Sequence, residues 1–93
     1  MSEIEVEPEV KRKFEISVLY NGVPRSIAVE VGETIMQVRE RAVQIFGAQQ
    51  GHLLALYTAA GQELTNEAQT VKEAGIRPHD KLLLRPSQVR GGR

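Results

Sequence analysis

The hydrophobic period of the sequence changes at residue 34, and this change constrains the fold more than any other feature. Between residues 14 and 31, apolar side chains alternate with polar ones on either side of the dipeptide Asn21-Gly22. A period of two indicates half-buried strands, and Asn-Gly readily adopts positive φ, so this segment predicts an antiparallel β-hairpin. From residue 34 the apolar residues recur every three or four positions, which predicts a helix whose apolar stripe lies on the sheet.

The predicted helix has a clear start and a clear end. Thr34 and Gln37 match the capping box, in which each side chain satisfies a backbone amide at the start of the helix. Gly47 stands where a left-handed residue ends a helix. We therefore expect a helix over residues 34–46. Its sheet-facing stripe is predicted to be Ile35, Val38, Ala42 and Ile45, and its opposite side to be Arg39, Glu40, Arg41 and Gln44.

The rest of the chain predicts further strands and one long connection. The strands are expected at 53–57, at 63 and 64 as a very short one, and at 81–85, where Pro86 ends the ladder. Residues 65–80 are rich in turn residues, and Val71 and Ile76 within them are expected to close the open end of the core.

These elements form one predicted domain over residues 14–85. It lies between a flexible lead, residues 1–13, and a flexible tail, residues 86–93.

The run Leu53–Tyr57 is apolar at every position, so alternation alone does not decide which of its faces is buried. If Leu53, Ala55 and Tyr57 face the helix, then Leu54 and Leu56 face water, because the strand period is two. In the last strand, Leu82 and Leu84 facing inward leave Leu83 outward. Clustered exposed leucines mark a partner site, so we expect a partner-binding surface at Leu54, Leu56 and Leu83. The alternative is that this face meets another copy of the chain or the lead.

Composition excludes several classes of function. Twelve basic and twelve acidic side chains cancel, so we expect no nucleic acid and no membrane among the partners. The absence of cysteine excludes a disulfide framework, a thiolate zinc site and a thioester on a side chain of this chain. The two histidines lack ligand spacing, and no phosphate loop or nucleophile elbow is present. We expect no metal, no cofactor and no enzymatic activity. The N-terminal segment lacks the apolar block of a signal peptide, which predicts a cytoplasmic protein.

The order of elements from Phe14 to Arg85 resembles ubiquitin and its β-grasp relatives. The segment from "ETI" at 33–35 through Gly47 to "LLALY" can be laid on ubiquitin without a gap, and "TVKEAGI…DKLLL" has the typical approach to the last strand. The resemblance implies an α+β fold, in which a mixed sheet of four to five strands packs on one helix. Many proteins with unrelated roles share this fold, so the fold alone does not give the function.

The C-terminal sequence carries the more specific features of the resemblance. Conjugated members of the family end in Arg-Gly-Gly, and Arg90-Gly91-Gly92 stands in that place. The resemblance implies a precursor that a JAB-type peptidase trims by removing Arg93. Activating and conjugating enzymes then join Gly92 to target lysines, with Arg90 recognised by the activating enzyme. The arm from Arg85 to Gly92 has seven steps, roughly 23 Å when extended. Bacterial and archaeal modifiers fit this pattern best, and the chain is expected to be a monomer.

Two positions compare directly with the recognition patch of ubiquitin. Leu56 matches its central isoleucine, and Arg85 falls about where ubiquitin has an exposed valine, so Arg85 joins the predicted partner surface. Two alternatives to the modifier stay open. One is an interaction domain that is not conjugated and acts through the leucine face. The other is a sulfur carrier with a terminal thiocarboxylate, against which Arg93 counts. A frayed or arbitrarily cut terminus is the remaining explanation of the tail, and the β-grasp order upstream counts against it.

Overall fold

The computed structural model describes residues 12–89, and within them the chain forms four strands and one α-helix. Their bounds are β1 Lys13–Tyr20, β2 Val23–Glu30, α1 Ile35–Phe46, β3 Leu54–Thr58 and β4 Lys81–Pro86, with a 3-10 turn at Gly51–Leu53. The expected short strand at 63 and 64 is reduced to a single bridge between Glu63 and Tyr57. The α+β prediction is confirmed.

The sheet is mixed and has the order β2-β1-β4-β3. β1 pairs with β2 and β3 with β4 in antiparallel fashion, while β1 and β4 lie parallel at the centre. The helix covers one face of this sheet, and the apolar core lies between them. The first and last strands of the domain are therefore neighbours, although they are far apart in the sequence.

The predicted local signals form as expected. Asn21 and Gly22 have φ of 52° and 80°, as a two-residue hairpin turn with the twist of its strands requires. At the start of α1, the Gln37 amide donates to Thr34 Oγ1 at 3.2 Å, and the Thr34 amide donates to Gln37 Oε1 at 2.9 Å. Gly47 ends the helix with φ of 64°.

Two residues of α1 lie on the side opposite to the prediction. Ile35, Val38 and Ala42 are buried as expected, but Ile45 is 38% exposed, because in the last turn Phe46 packs against the core and against Tyr20. Arg39 was predicted on the solvent side and is only 8% exposed. The long connection covers it and supplies Glu67 as its partner, which helical periodicity cannot show.

The predicted phase of β3 is wrong. Leu54 and Leu56 belong to the buried core, while Ala55 and Tyr57 lie on the opposite face of the sheet. Leu53 completes the 3-10 turn, so the strand begins at Leu54. Leucine fills the core without a polar atom, whereas the Tyr57 hydroxyl needs a hydrogen-bond partner, which the outer face provides. The buried position of Leu56 also removes its match to the exposed isoleucine of ubiquitin.

The other apolar positions lie as predicted. Leu82 and Leu84 enter the core, and Leu83 is half-buried on the outer face. Val71 and Ile76 of the long connection are buried against the same core.

Candidate functional site

The residues predicted to be conjugated and processed lie outside the stretch of chain that the structure describes. They are Arg90, Gly91, Gly92 and Arg93, and most of the lead, residues 1–11, lies outside it too. What the structure describes is the root of the tail, residues 86–89, and the outer face of the sheet beside it. These two regions are the candidate site.

The root of the tail is bonded to the folded body. The Ser87 amide donates to the Leu53 carbonyl at 2.8 Å, so the ladder between β3 and β4 continues one residue past Pro86. Ser87 is only 8% exposed. Its hydroxyl donates to Glu63 Oε2 at 2.6 Å, and the Gln88 amide donates to Glu63 Oε1 at 2.8 Å. One carboxylate on the neighbouring turn thus holds two consecutive residues of the tail.

Tyr57 is the third group at this carboxylate. Its hydroxyl lies 2.7 Å from the Pro86 carbonyl oxygen and 3.2 Å from Glu63 Oε1. Burial, followed by the hydrogen bond with Glu63 and the charge of Glu63, raises the pKa of the Tyr57 phenol above its usual value. The phenol therefore keeps its proton at neutral pH and remains a hydrogen-bond donor.

Val89, the last residue that the structure describes, is 68% exposed. An arm that leaves the body here reaches Gly92 in three steps, about 10 Å when extended. The sequence predicted seven steps from Arg85. The difference arises because residues 86–88 are held by Leu53, Tyr57 and Glu63.

The outer face of the sheet carries an apolar row that crosses all four of the described strands at one level. The register pairs Leu19 with Pro24 on one side and with Leu83 on the other, and Leu83 with Tyr57. We call Pro24, Leu19, Leu83 and Tyr57 the apolar row. Leu19 is 39% exposed and Leu83 half-buried, while Tyr57 is covered.

Two of the four residues predicted for the partner surface border this row or belong to it. Leu83 is a member, and Arg85 is exposed beside it, with its guanidinium 5.8 Å from the centre of the Tyr57 ring. Leu54 and Leu56 do not reach this face, because they lie in the core. The sequence analysis missed Leu19. Its signal was available, since Leu19 is apolar at a position where the alternation of β1 calls for a polar residue.

The charged groups of α1 make ion pairs on the other side of the molecule. Arg39 Nε and Nη2 donate to the two oxygens of Glu67 at 2.7 and 3.1 Å. Arg41 pairs with Glu33 and also donates to the Ala28 carbonyl. Burial alone raises the pKa of Glu33, but the hydrogen bond and charge of Arg41 and the Glu30 amide outweigh it and hold that pKa below its usual value. These pairs join α1 to the long connection and to the residues before the helix.

Within residues 12–89, no three His, Cys, Asp or Glu side chains gather as a metal site requires. No helix in this same stretch is both long and apolar enough to cross a membrane.

Comparisons by sequence find no matching family model and no matching curated protein. Comparisons of structure find 365 matching chains, and ubiquitin-like domains are among them. A ubiquitin-like domain of an Arabidopsis thaliana protein has a TM-score of 0.71 at 16% identity, covering 99% of this chain and 96% of that one. Caldiarchaeum subterraneum ubiquitin has a TM-score of 0.71 at 20% identity, covering 86% of this chain and 100% of its own. A designed protein based on ubiquitin reaches 0.72 at 23% identity, covering 87% and 96%. The chain therefore has the ubiquitin-like β-grasp fold.

Proposed function

We propose that the chain is a ubiquitin-like protein modifier, trimmed after Gly92 and joined through the Gly92 carboxylate to lysines of target proteins. One observation carries the proposal: a ubiquitin-like fold is followed, four residues after β4 ends at Pro86, by Arg90-Gly91-Gly92. Glycines suit such an end, because they have no side chain to clash in a narrow enzyme channel.

The chemistry uses the chain as a substrate. A JAB-type peptidase hydrolyses the bond between Gly92 and Arg93. An activating enzyme, for which Arg90 is a recognition residue, lets the Gly92 carboxylate attack the α-phosphorus of ATP and releases pyrophosphate. A cysteine thiolate of the enzyme then displaces AMP to form a thioester. A target lysine amine displaces the thiolate and forms the isopeptide bond. The sulfur of the thioester comes from the enzymes, since this chain has no cysteine. The proposal places the chain in the cytoplasm of a bacterium or archaeon.

Mass spectrometry of the chain expressed in its native host tests the proposal. We expect loss of Arg93 and heavier species whose target lysines keep Gly91-Gly92 after trypsin cuts behind Arg90. A variant ending at Gly92 should still form these conjugates, and a variant ending at Gly91 should form none. The two variants differ by one glycine, so each controls the other. The proposal is wrong if neither the wild-type chain nor the variant ending at Gly92 gives modified lysines. A gain of sulfur at Gly92 without conjugates would indicate a sulfur carrier.

The apolar row favours a second candidate, an interaction domain that is not conjugated. The row exposes Pro24, Leu19 and part of Leu83, and apolar surface of this kind with a charged residue at its edge is typical of protein-binding sites. In this case a variant ending at Val89 keeps its function in the host, while Leu19→Asp combined with Leu83→Asp loses it. The modifier hypothesis predicts that the variant ending at Val89 is inactive, so this variant separates the two.

A further inference from the structure

The Glu63 carboxylate uses both of its oxygens on the root of the tail. Oε2 accepts the Ser87 hydroxyl at 2.6 Å, and Oε1 accepts the Gln88 amide at 2.8 Å. Hydrogen bonds to a charged acceptor are stronger than neutral ones. The Ser87 hydroxyl in turn accepts the Val89 amide at 3.0 Å, so the bonded chain continues to the last described residue.

Glu63 is itself held in place. Glu63 forms a β-bridge with Tyr57 of β3. The amide of the next residue, Leu64, donates to the Leu56 carbonyl at 2.8 Å. The carboxylate therefore sits on a turn that is anchored to the sheet. Holding Ser87 and Gln88 from this turn fixes where the C-terminal arm leaves the fold.

We propose that Glu63 is a positioning residue for the C-terminal arm, which it clamps to the body up to Gln88 until a partner enzyme draws the arm out. The inference rests on the proposed function for its biological meaning. With the clamp closed, the arm to Gly92 starts at Val89 and can span at most about 10 Å. With the clamp open, the arm starts at Pro86 and can span at most about 20 Å. Glu63 thus sets how deeply the Gly92 carboxylate can enter an enzyme.

Trypsin can measure the clamp without any conjugating enzyme. Cleavage behind Arg90 requires the residues before it, Ser87 to Val89, to lie extended in the protease, and these are the clamped residues. When opening is fast relative to cutting, the rate of cleavage follows the population of the open form. The Arg85–Pro86 bond does not interfere, because trypsin does not cut before proline.

The experiment compares the full chain with Glu63→Ala and Ser87→Ala. For each protein, two rates are measured: the release of residues 91–93, and the cleavage behind Lys81, which lies in β4 and reports unfolding of the domain. We expect both variants to raise the rate of release about tenfold or more, since each loses a hydrogen bond to a charged group, while release stays much faster than cleavage behind Lys81. Arg39→Ala controls for a general loss of stability: it should speed cleavage behind Lys81 but not the release of residues 91–93, since Arg39 bonds to Glu67 and to the Gly51 carbonyl. Gln62→Ala is the matched control, because Gln62 is exposed on the same turn and bonds to Thr58 through its backbone.

The clamp is refuted if Glu63→Ala leaves the rate of release at the wild-type value, or if Gln62→Ala or Arg39→Ala raises it equally. This result is independent of the proposed function. A chain that is never conjugated can still pass the trypsin test, and a conjugated chain whose tail is not held fails it.

Discussion

At the scale of single residues, the two ion pairs of α1 differ in how deeply their side chains are buried. The side chains of Arg39 and Glu67 are 10% and 15% exposed, while Arg41 is 36% exposed and its partner Glu33 is 14% exposed. Removing one partner of a buried pair leaves the other charge buried and unpaired, which lowers the free energy of unfolding strongly. Breaking an exposed pair lowers it only a little. We therefore expect Arg39→Ala to lower the free energy of unfolding by about 3 kcal/mol. Arg41→Ala should cost about 1 kcal/mol, since water reaches this pair. Urea unfolding of both variants measures the difference, and equal costs would contradict it.

The lowered pKa of Glu33 makes its contribution to stability depend on pH. A carboxyl whose pKa is lower in the folded protein stabilises the fold above its unfolded pKa, and this stabilisation is lost as pH falls through the folded pKa. We expect Glu33→Gln to be less stable than the wild type at neutral pH and to approach it in acid. Urea unfolding over a pH series checks this, with Glu40→Gln on the exposed side of the helix as the control. A difference that persists unchanged into acid would contradict it.

The phase of β3 is the feature at the scale of elements that most affects function, because it decides which leucines face a partner. Leu56 is fully buried opposite Leu84, and Leu83 lies half-buried on the outer face. We expect Leu56→Ala to cost about 2–5 kcal/mol of unfolding free energy, through lost contacts and a cavity. Leu83→Ala removes the same atoms from a partly wet surface and should cost about 1 kcal/mol. Thermal or urea unfolding compares the two, and an equally small cost for Leu56→Ala would instead support the phase predicted from the sequence, in which Leu56 and Leu83 both face outward.

The pairing of the first and last strands governs the whole molecule. β1 and β4 lie side by side at the centre of the sheet, so β4 is part of the core of the domain although it lies near the C-terminal end of the sequence. The hydrogen bonds of Ser87 and Gln88 extend the folded domain by these two residues past the end of β4.

Two truncations test where the domain ends. A chain ending at Val89 keeps every bond of the tail root, and we expect its free energy of unfolding to change by less than about 0.5 kcal/mol. A chain ending at Arg85 loses the partners of Glu63 and of the Leu53 carbonyl, and we expect a loss of about 1–3 kcal/mol. Calorimetry on the two truncated chains gives the comparison. Equal stabilities would show that the tail root does not belong to the folded domain.

Much of the fold was predictable, because its signals are local. Asn21-Gly22 favours the hairpin turn by its own backbone preference, and Thr34 with Gln37 caps the helix within one turn. Such features need no information from distant residues. The resemblance of these elements to ubiquitin then implied the four- to five-stranded sheet on one helix.

The candidate site was less predictable, since it depends on contacts between distant segments of the chain. Periodicity assigned Arg39 to solvent, but Glu67, 28 residues away, buries and pairs it. "LLALY" offers apolar residues to both faces, and the hydrogen-bond partners of Tyr57 decide its phase. The Glu63 clamp joins residues 24 and 25 positions apart, and no local pattern marks it.

The sequence by itself determined the elements, their turns and caps, and the Arg-Gly-Gly end, because these follow from backbone preferences and covalent order. Only the tertiary structure decided which leucines face outward and where the tail leaves the body. Both depend on which polar groups find partners once the strands have met, and the free energy of burying those groups is set by neighbours that the local sequence does not contain.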